Sequence, residues 1–192
     1  VDLMQSWGVI DCICRTQKAL IGDPCQHPVD VCMVLSEKPD AFSSDGTVTP
    51  LDRQGALNTL QRAADAGLVH CVSNNQQEMW YICNCCTCSC GILRGMAELG
   101  IGGVVARSAF LCQVDEERCA ACGACVSVCS FQALTLDATV QVDSLRCAGC
   151  GVCVPHCPHE ALVLVRRPDA ETPPEDEAAW RMARRQYQNL IP

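Results

Sequence analysis

Eight cysteines in the last third of the chain fall into two runs with the same internal spacing. Each run reads Cys-x-x-Cys-x-x-Cys-x-x-x-Cys, and Cys119 in the first run corresponds to Cys147 in the second, an offset of 28 residues. The correspondence extends beyond the cysteines, since Asp115 matches Asp143 at the same offset. This spacing is typical of thiolates that hold four-iron, four-sulfur clusters. The two runs therefore indicate an internal duplication that binds two clusters.

The spacing also predicts which cysteines share a cluster. The first three thiolates of a run wrap around one cluster, and the fourth ligates the neighbouring cluster because it cannot fold back to its own. The predicted ligands are Cys119, Cys122, Cys125 and Cys157 for cluster 1, and Cys129, Cys147, Cys150 and Cys153 for cluster 2. Structural zinc is the alternative. A zinc ribbon, however, needs two Cys-x-x-Cys pairs without an interleaved fourth ligand.

Residues 110–165 resemble a bacterial two-cluster ferredoxin domain through these two runs and through Pro158 after the last cysteine. Ser130 stands where the family usually has a second proline. Because proline fixes φ and ends the turn, Ser130 is expected to loosen that turn while ligation survives. The resemblance implies an α+β, ferredoxin-like duplicated domain with two [4Fe-4S] clusters. It also implies short helices at 131–134 and 159–162, followed by strands that seal the clusters from water.

A second concentration of cysteines lies in the first half of the chain. Five of them fall within residues 83–90, and core packing does not explain such clustering, because cysteine packs as an ordinary small hydrophobe. Four thiols are enough for one further cluster and eight for two. The candidate ligands are Cys12, Cys14, Cys25, Cys32, Cys83, Cys85, Cys86, Cys88 and Cys90. Adjacent Cys85 and Cys86 are not expected to share a site, since successive side chains of an extended backbone point apart.

Residues 7–95 resemble the N-terminal module of multi-cluster ferredoxin-like proteins of anaerobic bacteria. The resemblance rests on a Cys-x-Cys-Arg element ending at Arg15, two further cysteines, a helix ending Gly-Leu-Val-His, and a Cys-Asn-Cys-Cys-x-Cys-x-Cys run. It implies at least one additional iron–sulfur cluster, with zinc as the alternative, and leaves the ligand set open. Arg15 is expected either to offset the charge of a metal–thiolate site or to form a surface ion pair.

The elements that would position these cysteines follow from periodicity and capping signals. Alternation over residues 7–15 predicts a strand, which would place Cys12 and Cys14 on one face. Thr49 and Gly67 are predicted to cap a helix, and residues 68–82 to form a hairpin. We predict a Cys-rich α+β module at 1–105, the ferredoxin domain at 106–167, and a linker with a C-terminal helix at 168–192.

Charge and composition exclude several classes of function. The net charge is −8 and the only lysines are Lys18 and Lys38, so the basic footprint of a nucleic-acid-binding protein is missing. An acidic surface suits docking onto a positively charged redox partner. The cysteine count, 19, is odd and its spacing is of the metal-binding type, and neither a signal peptide nor a membrane span is visible. These features predict reduced thiols in a cytoplasm rather than disulfides.

The sequence contains no nucleotide-binding motif and no arrangement of nucleophile and base, so no catalytic residue is predicted. We predict an electron-transfer iron–sulfur subunit that relays single electrons within an anaerobic oxidoreductase complex. Its expected partners are a catalytic oxidoreductase subunit and a flavin- or ferredoxin-type electron carrier. The alternatives are a free soluble polyferredoxin-type carrier, an iron–sulfur sensor or regulator, and a cluster that binds substrate at an open iron.

Overall fold

Helices and short strands share the chain, so that the protein is of mixed helix and sheet architecture. The computed structural model describes residues 1–103 and 106–188, without the side chains of 186–188. The elements are β1 Ser6–Ile10, α1 Ile13–Leu20, β2 Cys32–Ser36, β3 Thr49–Leu51, α2 Arg53–Asp65, β4 Val69–Cys71, β5 Tyr81–Cys85, α3 Gly91–Leu99, β6 Phe110–Val114, α4 Ala124–Ser127, β7 Leu134–Leu136, β8 Val140–Val142, β9 Leu162–Arg166 and α5 Glu177–Gln188.

The first five strands form one antiparallel sheet in the order β3-β1-β2-β5-β4. Helix α2 packs on this sheet through Ala56, which is fully buried in a cluster with Met33 and Ile82. The helix begins where the Asp52 side chain accepts a hydrogen bond from the Gly55 amide, at 2.6 Å. It ends before Gly67, whose φ of +71° suits a helix C-terminus. The predicted hairpin is present as the β4–β5 pair.

Two local predictions in this region were wrong. The strand stops at Ile10 and α1 starts at Ile13, so Cys12 and Cys14 do not share a strand face. The Cys12 amide donates to the Val29 carbonyl and its carbonyl accepts from the Thr16 amide, both at 2.9 Å, which turns the chain into the helix. Thr49 does not cap α2, because it pairs with β1 as part of β3.

The last third of the chain contains two antiparallel pairs, β6 with β9 and β7 with β8. The same long-range hydrogen bond occurs in each half: the Asp115 amide donates to Ala161 and the Asp143 amide donates to Ala133, both at 2.8 Å. The short helices expected at 131–134 and 159–162 are absent from these described residues. Gln132 and Glu160 have φ of 51° and 48°, and a left-handed residue does not fit a right-handed helix.

The N-terminal sheet and the last third of the chain share one hydrophobic core. Val69 of β4 and Leu93 and Met96 of α3 are buried in the same cluster as Phe131 and Leu134. The predicted boundary at residue 105 lies outside the described residues, and the division into three units stays a prediction. None of the described helices has both the length and the apolar character that a membrane span requires.

The segment before α5 returns to the N-terminal sheet. The amides of Gln76 and Gln77, in the loop between β4 and β5, donate to the carbonyls of Pro174 and Glu175 at 3.0 and 2.9 Å. Helix α5 then begins after Asp176, as the sequence predicted for the last helix. The C-terminal segment is therefore anchored on the N-terminal module.

Candidate metal centres

The structure brings four cysteines from both runs around one cavity. The space in it that protein atoms do not fill is about 290 Å³. They are Cys119, Cys122, Cys125 and Cys157. Cys125 is buried and Cys122 is exposed, so this cavity lies close to the surface. The backbone wraps around it through left-handed residues at Ala121 and Gly123, with φ of 50° and 74°. This set is the one predicted for cluster 1.

A second cavity, of about 440 Å³, is lined by the other four cysteines of the two runs. They are Cys129, Cys147, Cys150 and Cys153. Burial raises the pKa of Cys150 to about 11, so a thiolate in this cavity needs a positive partner such as iron. Val69 of the N-terminal sheet also lines this cavity. The set is the one predicted for cluster 2, and four cysteine donors around one cavity fit an iron–sulfur cluster.

Backbone amides hold the fourth cysteine of each run in an equivalent way. The Ala133 amide donates to Cys129 Sγ and the Ala161 amide donates to Cys157 Sγ, both at 3.3 Å. Such bonds orient a thiolate and raise the reduction potential of a cluster that it ligates. These two cysteines are the ones predicted to cross between runs, and the amides hold both of them in equivalent positions.

Two residues that sequence reasoning did not assign to a site support the second cavity. Arg167 is 5% exposed, and its guanidinium donates to the Cys147 and Phe110 carbonyls at 3.0 and 3.1 Å. Cys112 is buried with its Sγ 3.6 Å from Cys153 Sγ, a contact that raises the pKa of Cys153 before any metal binds. Cys112 alternates within a predicted strand, which gave no signal of this contact.

The cysteines of the N-terminal module separate into two groups. The outer group is formed by Cys25, His27, Cys86 and Cys88, whose ligand atoms all lie within 4.8 Å of one another. Cys25 and His27 come from the loop between α1 and β2, whereas Cys86 and Cys88 follow β5. His27 was not among the predicted ligands, although the Cys-x-His spacing was a usable signal. Burial and the nearby Arg15 lower the pKa of His27, which favours the neutral imidazole that metals bind.

Arg15 connects the outer group to the sheet. Its side chain donates to Cys86 Sγ at 3.7 Å and to the Asn84 carbonyl at 3.0 Å, and the residue is only 2% exposed. Burial disfavours the Cys86 thiolate, but hydrogen bonds from Cys88 and Arg15 outweigh it and lower the pKa of Cys86. Of the two roles expected for Arg15, the structure shows the contact with a thiol.

The inner group is a chain of thiols in which each one interacts with the next. Its members are Cys12, Cys14, Cys32, Cys71, Cys83, Cys85 and Cys90. Hydrogen bonds with Cys32 and Cys85 lower the pKa of Cys83, which lies between them. Cys85 belongs to this group and Cys86 to the outer one. Cys71 was missed, although its pairing with Cys83 across the predicted hairpin could have revealed it.

Residues 118–161 match the model of the family described as the 4Fe-4S dicluster domain. The match spans all eight cysteines of the two runs, so the chain contains an iron–sulfur ferredoxin-type domain. The protein is thus an iron–sulfur protein of the electron-transfer type. No curated protein and no solved structure gives a significant match to the chain.

Proposed function

We propose that this chain is an electron-transfer subunit that relays single electrons within an anaerobic oxidoreductase complex. The observation that supports this most strongly is the pair of cavities, each lined by four cysteines drawn from both runs. Iron–sulfur clusters bound there would supply reversible one-electron chemistry. In this proposal the domain is a duplicated ferredoxin fold with two [4Fe-4S] clusters and crossed ligands.

The chain's own residues would insulate both sites and set their properties. Leu134 and Leu162, each almost fully buried, cover the cavities at the start of β7 and β9. The amides of Ala133 and Ala161 donate to thiolate sulfur and stabilise the more negative, reduced state. Arg167 holds the loop that carries Cys147 against β6. A fixed cage of this kind keeps structural change on electron transfer small.

The positions of the sites suggest a direction for the relay. The 440 Å³ cavity contacts the N-terminal sheet through Val69, and Cys85 and Cys90 of the inner group share its hydrophobic core. The 290 Å³ cavity is lined by Cys122, which is exposed. We propose a path from the inner group, as a third cluster site, through these two cavities to the surface at Cys122.

Charge suggests what docks at that surface. The net charge of the chain is −8, and the exposed Asp115, Glu116 and Glu117 lie just before Arg118 and Cys119, where Arg118 is itself paired with Glu160. An acidic rim accelerates encounter with a positively charged partner and makes it sensitive to salt. The proposed partner at this end is an electron carrier of flavin or ferredoxin type with a basic docking face. The catalytic subunit would bind on the side of the N-terminal module.

The subunit proposal is tested by native mass spectrometry of the protein purified anaerobically from its own cells by a mild affinity tag. We expect a stable heteromeric complex that contains a flavin or metal cofactor on another chain. A monomeric protein that can be reduced and reoxidised without any bound partner would overturn the subunit role and favour a free carrier. The same samples are tested for a gel shift with DNA, and we expect none, because the chain is acidic.

A further inference from the structure

The outer group differs from every other cysteine set in how close its ligand atoms lie. Among the residues that the structure describes, it is the only set of three or more possible metal ligands whose atoms are all within 4.8 Å of one another. Cys25 Sγ lies 3.7 Å from Cys86 Sγ and 3.2 Å from Cys88 Sγ. His27 Nδ1 lies 3.0 Å from Cys25 Sγ and 3.5 Å from Cys88 Sγ.

These distances fit four ligands on a single tetrahedral ion. Zinc binds thiolate sulfur at about 2.3 Å and imidazole nitrogen at about 2.0 Å, so ligand atoms on one zinc are roughly 3.5 to 3.8 Å apart. Two of the observed separations, 3.7 and 3.5 Å, match this range, and the other two, 3.2 and 3.0 Å, are shorter than it expects by about half an ångström. Three thiolates and one histidine are also a common donor set of structural zinc sites.

The same distances do not fit a four-iron cluster. In such a cluster each thiolate binds a different iron at a corner of the cube, so the sulfur atoms of the ligands are spread more widely than around one ion. The eight cysteines of the two runs show this wider spread, since neither set of four brings its sulfur atoms within 4.8 Å of one another in the described structure. The outer group is therefore of a different kind from the ferredoxin sites.

Electrostatics supports the same conclusion. Arg15 is 2% exposed, and none of the ion pairs found in the described part of the chain involves it. A buried guanidinium needs a negative partner, and the group within reach is Cys86 Sγ. Three thiolates around one divalent zinc leave one net negative charge. Arg15 would neutralise that charge without any carboxylate.

We propose that Cys25, His27, Cys86 and Cys88 bind one zinc ion with a structural role. The ion would join the loop before β2 to the segment after β5, two stretches about 60 residues apart in the chain. By fixing the end of β5 it would hold Cys83 and Cys85 in place for the inner group. Zinc has no redox chemistry, so this site would not carry electrons. The proposal does not depend on the proposed relay.

The test is metal analysis of the full-length protein purified anaerobically, with zinc, iron and sulfide measured in each sample. In the unmodified protein we expect about one zinc per chain. X-ray absorption at the zinc edge should show three sulfur neighbours at about 2.3 Å and one nitrogen at about 2.0 Å. Cys88→Ser and His27→Ala should each retain at least tenfold less zinc against a chelator, with the roughly eight irons of the two ferredoxin sites unchanged.

The matched control is Cys71→Ser, which changes a cysteine of the inner group and should keep the zinc. Less than about a tenth of a zinc per chain, together with a loss of about four irons in Cys88→Ser, would show a cluster ligand and overturn the proposal. A zinc bound by four sulfurs and no nitrogen would equally overturn it. If the variants do not fold, the absorption spectrum of the unmodified protein still decides between these results.

Discussion

The two cysteine-rich regions of this protein assemble their sites in opposite ways. In the last third of the chain, short repeated spacings set most of the ligands, and each cavity takes three cysteines from one run and the fourth from the other. In the N-terminal module, the outer group is built by two distant segments, one before β2 and one after β5, which meet at the same end of these neighbouring antiparallel strands. Spacing along the chain therefore specifies the first kind of site, whereas only tertiary structure reveals the second.

The difference extends to how charge is handled. The ferredoxin cavities surround their thiols with backbone amides and apolar side chains, as at Ala133 and Ala161. The outer group instead has a buried cation, Arg15, in contact with one of its thiols. Amide dipoles tune a redox site without adding charge, whereas a full charge compensates an anionic site of fixed valence. The two proposals match this contrast: the ferredoxin cavities are assigned to electron relay, and the outer group to a structural ion.

The largest expected effect tests the crossed ligands of the last third of the chain. The double variant Cys129→Ala/Cys150→Ala changes one cysteine in each run but only one cavity, so about four of the eight ferredoxin irons should be lost. The double variant Cys122→Ala/Cys129→Ala changes two cysteines of one run and one cysteine of each cavity. It should lose about eight irons, which is the content of both cavities. Iron and sulfide counts measure both. The opposite pattern would show that each run serves its own cluster.

The second prediction concerns the cation of the N-terminal module. Arg15→Gln leaves the thiolates without their buried counter-charge and should lower the free energy of unfolding by about 3 to 5 kcal/mol. The matched control is Arg94→Gln, which removes an exposed i,i+4 pair with Glu98 and should cost less than about 1 kcal/mol. Denaturant unfolding under anaerobic conditions measures both. Equal effects of the two changes would show that Arg15 has no electrostatic role.

A glycine from each region gives a smaller effect. Gly149 has a φ of +64°, and a Cβ there would lie 2.1 Å from the Phe110 carbonyl oxygen, whereas Gly22 has a φ of +80° with open space around it. Gly149→Ala should cost about 3 kcal/mol from strain and overpacking, and Gly22→Ala about 1 kcal/mol from strain alone. Thermal unfolding compares them. An unchanged melting temperature for Gly149→Ala would contradict the close packing of its loop on β6.

The smallest effect is expected at Cys112. Cys112→Ala removes a thiol 3.6 Å from Cys153 Sγ, and iron content should not change. The Cys153 thiol donates to Cys112 Sγ in the structure; once binding to iron removes that proton, Cys112 becomes the donor, and its loss should make one reduction potential more negative, by some tens of millivolts. Cys112→Ser keeps a donor at this position and should restore the potential. Redox titration followed by electron paramagnetic resonance measures it, and a loss of iron in Cys112→Ala would instead make Cys112 a ligand.

The sequence predicted structure well wherever local signals decide it. The β4–β5 hairpin and the end of α2 at Gly67 follow from alternation and turn residues, and strands β7 and β9 lie where the resemblance to a two-cluster ferredoxin implied them. It failed where long-range pairing competes with a local signal. Thr49-Pro50 looks like a helix start, yet the pairing of Thr49 with Val9 places it in a strand.

The candidate sites show the same division. The two cavities contain the cysteine sets that the repeat predicts, because their ligands lie within one supersecondary unit. His27 and Cys71 were missed although each had a signal, because the Cys25-x-His27 spacing and the pairing of Cys71 with Cys83 identify ligands only once loops and strands from distant parts of the chain are combined. The left-handed backbone at Gln132 and Glu160, which replaces the expected short helices, has no signature in residue type.

The most direct test of the crossed pair of iron–sulfur sites is Mössbauer spectroscopy of anaerobically purified, iron-57-labelled protein, with iron and sulfide counted per chain. We predict that at least about eight irons per chain occur as [4Fe-4S] clusters and that they reduce in one-electron steps. Colourless protein in which zinc fills the cavities of Cys125 and Cys150 would contradict the assignment of this protein as an electron carrier.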